Sequence, residues 1–230
     1  MCGRKTLTRD MQTIIEELAI DEWADDDFNP SFNIAPTQIS PILIGEDNSR
    51  IVKPMQWGLI PHWAKDKSIG SKMINARSET ILEKPSFQNL VHQNRCVIIT
   101  DGYFEWKRES DRNQPFYISH PDKKLLPMAG LWTTWTSTDS QTIESYTVIT
   151  TSPQKEIAHI HNRMPVILNP MTVDEWIHCE TTPSNQAIVN LIPFTKSLAF
   201  HPVSTLMNSP KNNSLDCIRS VQDSSTLDLF

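Results

Sequence analysis

Near the start of the chain, apolar residues recur at helical spacing at Met11, Ile14, Ile15, Leu18 and Ala19, behind a threonine able to cap a first turn. That spacing predicts an amphipathic helix over 8–20 with Thr8 as its N-cap. Beyond an acidic stretch the pattern changes to short runs rich in β-branched and aromatic residues, at 39–44, 51–59, 96–100, 116–119, 126–132, 146–151 and 166–168, separated by prolines and polar turns. Helical spacing returns at 76–83, 153–159, 172–178 and 185–191. The elements do not alternate as βαβ units and show no repeat period. The expected architecture is therefore a single-domain α+β fold, its mixed β-sheets forming a barrel-like core with helices at the periphery. From Ser209 onward the sequence is rich in Ser, Asn and Asp and poor in bulky apolar residues. This places the folded domain at 1–208 and predicts a flexible tail over 209–230.

Composition sharpens this picture in two places. A net charge of -6 argues at first against a nucleic-acid partner, because phosphate binding rewards Lys and Arg. Residues 16–27 (EELAIDEWADDD) hold seven acids and no base, however, and the remainder carries 20 acids against 21 bases. A local basic groove is compatible with that distribution, and the acidic stretch reads as a solvated helix end and loop. No run of about 18 apolar residues is present, and the start MCGRKTLTRD lacks the apolar core of a secretory signal. The expected setting is a reducing cytoplasm, with no membrane partner and no sign of an oligomer. The four cysteines, Cys2, Cys96, Cys179 and Cys217, form no CxxC pair and no short-spaced framework, which argues against structural zinc and against a disulfide scaffold. Cys96, Cys179 and Cys217 read as small buried or half-buried hydrophobes.

Cys2 is different. Initiator Met is generally trimmed before a small residue, so a mature chain beginning Cys2-Gly3 would carry a free α-amine next to a thiol. Their unperturbed pKa values, roughly 8 and about 8.5, leave a useful fraction of each nucleophilic near neutral pH. Such a pair can catch an aldehyde twice: the amine condenses to an imine, and the thiolate closes on the same carbon to give a five-membered thiazolidine. Gly3 allows close backbone approach, and Arg4 suits a phosphate.

Three further segments carry candidate chemistry. Asn75 and Arg77, in NARSET, are expected at the opening of a helix, where they could hold an anion or a sugar oxygen; the ordinary reading is an Asn cap with a solvated Arg. Glu105, in DGYFEW, is flanked by aromatics, which tends to desolvate a carboxylate, raise its pKa and fit it for moving protons; a salt-bridged structural Glu105 is the alternative. His159 and His161, in HIHNRMP, lie two apart and face one way in an extended chain. With no third ligand at recognisable spacing, metal binding is not expected, and no cofactor is implied. His161 as an acid–base group with Arg163 on a phosphate is the functional reading, and His159 as a buried, hydrogen-bonded ring is the plain one.

Taken together, MCGR at the start, FNIAPTQ at 32–38, WGLIPHWAKD at 57–66, INARSET at 74–80, RCVIITDGYFEW at 95–106, AGLW at 129–132, TVITT at 147–151, HIHNRMPVIL at 159–168 and HPVST at 201–205 resemble the SRAP family of SOS response-associated peptidases, which act as abasic-site DNA–protein crosslinkers. The resemblance runs nearly end to end. It implies the SRAP fold, with Cys2 as the crosslinking nucleophile, Asn75 holding a sugar-derived oxygen, and Glu105 and His161 as the proton-transfer pair. It further implies Gly3, Arg4, Arg77, Trp106 and Arg163 as DNA contacts, with Trp106 as a stacking surface, and single-stranded DNA bearing abasic sites as the partner, bound with little sequence preference. FNIAPTQ, which holds no acid, base or nucleophile, is read as shaping the pocket. The loop at 65–70, near Lys65, Lys67 and Lys72, has no assigned contact.

The same residues would serve a cysteine hydrolase of the N-terminal-nucleophile type, with self-processing or lyase activity beside it, and a non-covalent reader of single strands remains a third reading. The final residues Thr226, Leu227, Asp228, Leu229 and Phe230 resemble the short peptides by which repair proteins bind a sliding clamp, lacking the usual leading Gln.

Overall fold

The computed structural model describes residues 2–24, 28–109 and 113–221. Thirteen strands are found there: β1 (Lys5–Leu7), β2 (Glu22–Trp23), β3 (Ser31–Ile34), β4 (Ile39–Glu46), β5 (Ser49–Trp57), β6 (Asn75–Arg77), β7 (Arg95–Ile98), β8 (Gly102–Arg108), β9 (Asn113–Ser119), β10 (Met128–Thr136), β11 (Thr142–Thr151), β12 (Met164–Pro165) and β13 (Ala199–Pro202). The helices that bear on the argument are α1 (Met11–Leu18), α2 (Gln88–Gln93) and α3 (Val173–Ile177).

A closed barrel forms the core. The β4–β5 hairpin turns through Asp47 and Asn48, whose φ values of 50° and 62° are the left-handed pair that a two-residue turn needs to match strand twist. β4 continues onto β7, β7 onto β10, and β10 onto β11, all antiparallel. A parallel pairing of β11 with β5, Ser145 opposite Gln56 and Tyr146 opposite Trp57, closes the ring. The Trp57 and Tyr146 rings stack inside it at 6.2 Å and 10°. Gly58 leaves β5 at φ 118°, and a Cβ there would meet the Gly70 carbonyl oxygen at 2.5 Å, so only glycine lets the next loop cross this close.

A second sheet, entirely antiparallel, runs β13-β9-β8-β1-β3. One of its faces packs on the barrel. The other carries a smaller cluster of Phe104, Tyr117, Val203, Met207 and Cys217. The expected α+β domain with a barrel core is what the chain adopts.

Helices attach at the outside through named contacts. Arg95, 1% exposed, sends its guanidinium to the carbonyls of Val91 at 2.9 Å and Thr182 at 2.7 Å, and also to those of Trp176 and His178. One buried cation thus satisfies carbonyls at the ends of α2 and α3, where the helix dipole favours positive charge.

Local differences from the sequence reading have physical causes. α1 begins at Met11 and not at Thr8; its cap is Asp10, whose side chain accepts the Thr13 N–H. Thr8 is drawn elsewhere, its N–H and hydroxyl both donating to Asp101 Oδ2 at 2.6 Å. Segment 76–83 is not a helix: Asn75–Arg77 is a strand, paired parallel with β11, and only a 3-10 turn follows at Ser78–Thr80. Segment 153–159 is a series of turns, and the strand expected at 166–168 is replaced by β12 just before it and a single bridge between Met128 and Ile167.

Residues 209–221, expected to belong to a flexible tail, instead fold back over the second sheet. Cys217 is fully buried, Ser220 bridges to Val203, and His201 Nε2 lies 2.8 Å from the Ile218 carbonyl. What holds a segment so poor in apolar residues is side-chain-to-backbone bonding: Asn33 Nδ2 donates to the carbonyls of Met207, Ser209 and Asn212 at 2.7 to 3.0 Å. Thr226 to Phe230 lie outside the described residues.

Candidate functional site

The site forms where the amino-terminal segment runs along β8, beside the end of the barrel. Lys5 lies opposite Tyr103, and the Phe104 N–H donates to the Arg4 carbonyl at 3.0 Å. Extending that antiparallel register by two residues sets Gly3 opposite Glu105. Cys2 follows, fully buried, with its Sγ 4.0 Å from the Arg4 carbonyl. β6, docked on β11 with Asn75 beside Val148, presents the Asn75 amide to the same place, and its Nδ2 donates to the Cys2 carbonyl at 2.8 Å. The Asn75 Oδ1 is buried and has no hydrogen-bond partner among the described residues.

Glu105 is 2% exposed in the middle of β8, beside Phe116 of β9. Its Oε2 lies 3.9 Å from His161 Nδ1, and His161 is about a quarter exposed. The histidine ring is set by its own turn, because the Arg163 N–H donates to His161 Nδ1 at 3.0 Å. In the neutral ring Nδ1 is then the acceptor, which leaves the proton on Nε2.

Electrostatics separates these groups. Burial pushes the Glu105 carboxyl up to about 7, so it exchanges its proton in the neutral range. Burial, reinforced by the negative charge of Glu105, pushes the Cys2 thiol up to about 12. His161 is held below the ordinary imidazole value, again chiefly by burial. Sequence reasoning missed a neighbour of the same kind. Lys5 is fully buried, donates from Nζ to the Ile99 carbonyl at 3.2 Å, and has an ammonium pKa brought down to about 7 by burial, which Cys2 and Asp101 oppose. Tyr103, its strand partner, is also fully buried, with a hydroxyl that finds no partner among the described residues. Lys5 heads a short Lys-Thr-Leu strand beside a β8 that itself carries Glu105, Lys107 and Arg108, so no local pattern marked it.

The residues expected to touch DNA divide. Gly3 is half-buried beside Cys2. The Arg77 side chain is exposed and makes no hydrogen bond or ion pair among the described residues. Trp106 is half-buried, with its Nε1–H donating to Asn208 Oδ1 at 2.9 Å. Arg4, expected at a phosphate, is turned into the protein: NH1 donates to Asn33 Oδ1 at 2.8 Å and the Met207 carbonyl at 2.7 Å, and NH2 to the Asn208 carbonyl at 3.1 Å. It ties the amino-terminal strand to the carboxy-terminal segment. Arg163 is held by Glu79, a residue the sequence reading passed over. His159 is exposed and not buried, packed edgewise against Phe116 and Phe200. Among the described residues no cluster of His, Cys, Asp and Glu could hold a metal ion, and no helix is long and apolar enough to cross a membrane.

The assembled arrangement is a thiol and a main-chain amine position under a neutral-range carboxyl, an oriented imidazole and an amide with a spare acceptor. That set suits carbonyl chemistry, in which protons must be given and taken at one carbon. Comparison with known proteins identifies relatives of the chain. The model of a family described as SOS response associated peptidase (SRAP) matches residues 1–210. The abasic site processing protein YoqW of Bacillus subtilis is 39% identical over 223 residues, spanning 96% of this chain and all of its own. The abasic site processing protein HMCES of Xenopus tropicalis is 32% identical, over 86% of this chain and 69% of its own. A crystal structure of a Bacteroides thetaiotaomicron protein superposes with a TM-score of 0.82 at 24% identity, covering 96% of this chain and 100% of that one, and so shares the fold.

Proposed function

The chain belongs to the SOS response associated peptidase (SRAP) family, and from that membership we propose that it processes abasic sites in single-stranded DNA by covalent capture through Cys2. The observation that carries the reading is geometric: Asn75 holds the Cys2 carbonyl, and the strand register sets the adjoining Gly3 opposite Glu105, which is buried and 3.9 Å from His161 Nδ1. With Met1 removed, the α-amine belongs to Cys2 itself. An abasic sugar is mostly a closed hemiacetal. Glu105 as base and the His161 Nε2–H as acid would open it to the aldehyde, and the Asn75 Oδ1 would accept from a sugar hydroxyl or the attacking amine. The amine then adds to the carbonyl carbon, its two protons are relayed through Glu105 and His161 to the carbonyl oxygen, water leaves, and an imine results. Addition of the Cys2 sulfur to the imine carbon, with its proton passing to nitrogen, closes the thiazolidine. Aldehyde and aminothiol thus combine with loss of one water.

Arg77 and Arg163 would bind backbone phosphates and Trp106 would support a neighbouring base. Arg4, buried and bonded to Asn33 and two main-chain carbonyls, is assigned to holding the amino-terminal strand in place. A peptidase reading of the same residues would have the Cys2 amine draw the proton from its own thiol, a step made harder by the burial that pushes that thiol up to about 12. Crosslinking starts at the amine and calls on sulfur only at ring closure.

The test is incubation of the mature protein, shown by intact mass to lack Met1, with single-stranded DNA carrying one abasic site. A heat-stable, gel-shifted adduct that disappears in Cys2→Ala is the expected result. No adduct, or a linkage mapped to a lysine or an interior thiol, would overturn the proposal.

A further inference from the structure

The outer edge of the Arg163 guanidinium is already occupied. Its NH1 donates to Glu79 Oε1 at 2.6 Å and its NH2 to Glu79 Oε2 at 2.8 Å, a two-pronged pairing of fork and carboxylate. On the inner side NH2 also donates to the Thr150 carbonyl. The arginine side chain is 15% exposed and that of Glu79 is 49% exposed. The cation is therefore fixed to the protein body, and the carboxylate is the partner able to swing away. In this geometry the two Glu79 oxygens stand in for the two non-bridging oxygens of a phosphodiester, the other planar match for a guanidinium.

We propose that Glu79 sets how tightly any strand is held: in the free protein its carboxylate fills the Arg163 fork, and a backbone phosphate must displace it there before a strand is seated. The inference rests on the DNA-binding reading above and deepens it. Displacement imposes the same penalty on every strand, damaged or not. Only a strand that goes on to react with Cys2 offsets it, through a covalent bond. Undamaged strands are released, and lesions are retained. Swinging the Glu79 side chain away breaks its two bonds to Arg163 and none of those that hold Asn75 to Cys2. The turn that orients His161 is equally unaffected, because its hydrogen bond comes from the Arg163 main chain and not from the guanidinium.

The experiment measures binding of an undamaged oligothymidine by fluorescence anisotropy across a salt series, in the Cys2→Ala protein with and without Glu79→Gln. Freeing the fork should tighten binding about tenfold and steepen the logarithmic salt dependence by roughly 0.7, the increment for one further phosphate neutralised on a single strand. Weaker or unchanged binding overturns the inference, as does absence of binding in both proteins. A second measurement needs no change at Glu79. Its carboxyl, held below the ordinary range mainly by the bonds from Arg163, should return to that range when the oligonucleotide binds, read by carbon NMR of the labelled side chain. A carboxyl that stays low in the complex also overturns it. Crosslinking to abasic DNA is scored separately, so a protein that crosslinks normally but shows no Glu79 effect fails this inference alone.

Discussion

Two glutamates at one site have opposite environments. Glu105 lies on the floor, 2% exposed, and burial raises its carboxyl to about 7. Glu79 lies on the rim, half exposed, and the Arg163 guanidinium holds its carboxyl below the usual range. The side chains are chemically identical, and each stands in a short recognisable motif. The contrast shows how position divides labour: a carboxyl poised near neutral pH is able to move protons, and one locked ionised against arginine is able only to hold or release a charge.

Replacing the floor glutamate is the strongest way to break that contrast. Glu105→Gln keeps the shape of the side chain and removes its proton exchange, so adduct formation should slow by about 10²-fold or more, the usual worth of a positioned acid or base. In the parent protein the rate should climb as pH rises through about 7, where the carboxyl becomes a base, and the variant should lose that rise. Single-turnover rates on abasic DNA across pH measure both. An unchanged rate and profile would remove Glu105 from the chemistry.

Lys5 gives the next effect, on stability. Its folded pKa, about 7, is depressed from an ordinary 10.5, so the group contributes most favourably above the unfolded value. That contribution falls away as pH drops through the interval to about 7, because folding must then strip a proton from the ammonium, and below about 7 the charge itself is buried. Lys5→Met, which fills the space with an apolar chain, should therefore raise stability near pH 6 by a few kcal/mol, about 3 as an order of magnitude, and by little near pH 11. Chemical denaturation at the two pH values decides. A gain of equal size at both would mean that packing and not charge is responsible.

Much of the floor was legible in the sequence because its members sit in short, chemically distinctive strings: Cys2 at the front, Asn75 in NARSET, Glu105 among aromatics, His161 before Arg-Met-Pro. Most barrel strands were legible too, as apolar runs. Less was visible wherever a distant partner decides the outcome. The spacing around Asn75 reads as helix, yet the backbone there is claimed by β11, a strand about 70 residues further on. Closure of the barrel depends on the parallel β5–β11 contact, which no local pattern announces. Arg4 next to a reactive cysteine suggests a phosphate, but Asn33 and two carbonyls some 200 residues away engage it first. The segment after Ser209 looks like a tail because its anchors are hydrogen bonds to main chain, which composition does not record. Glu79 went unnoticed because an acid behind Asn75 and Arg77 gives no hint that its partner is Arg163.

The smallest effect sharpens the comparison at the rim, where two arginines differ as the two glutamates do. The Arg77 side chain is exposed without a described partner, and Arg163 is held on both sides. Arg77→Ala should then weaken binding of any single strand about threefold and lower the logarithmic salt slope by roughly 0.7, one phosphate contact fewer, because nothing in the free protein has to be broken to use it. The rate of adduct formation at saturating abasic DNA should stay unchanged, since Arg77 supports neither Cys2 nor His161. Arg163→Ala should change the salt slope by less, for the parent exchanges one anion for another at that fork. Anisotropy titrations at several salt concentrations test the pair. Equal slope changes would mean that Arg163 meets phosphate as a free cation and that Glu79 does not hold its fork in solution, and a rate change in Arg77→Ala would mean that this arginine reaches the reacting sugar.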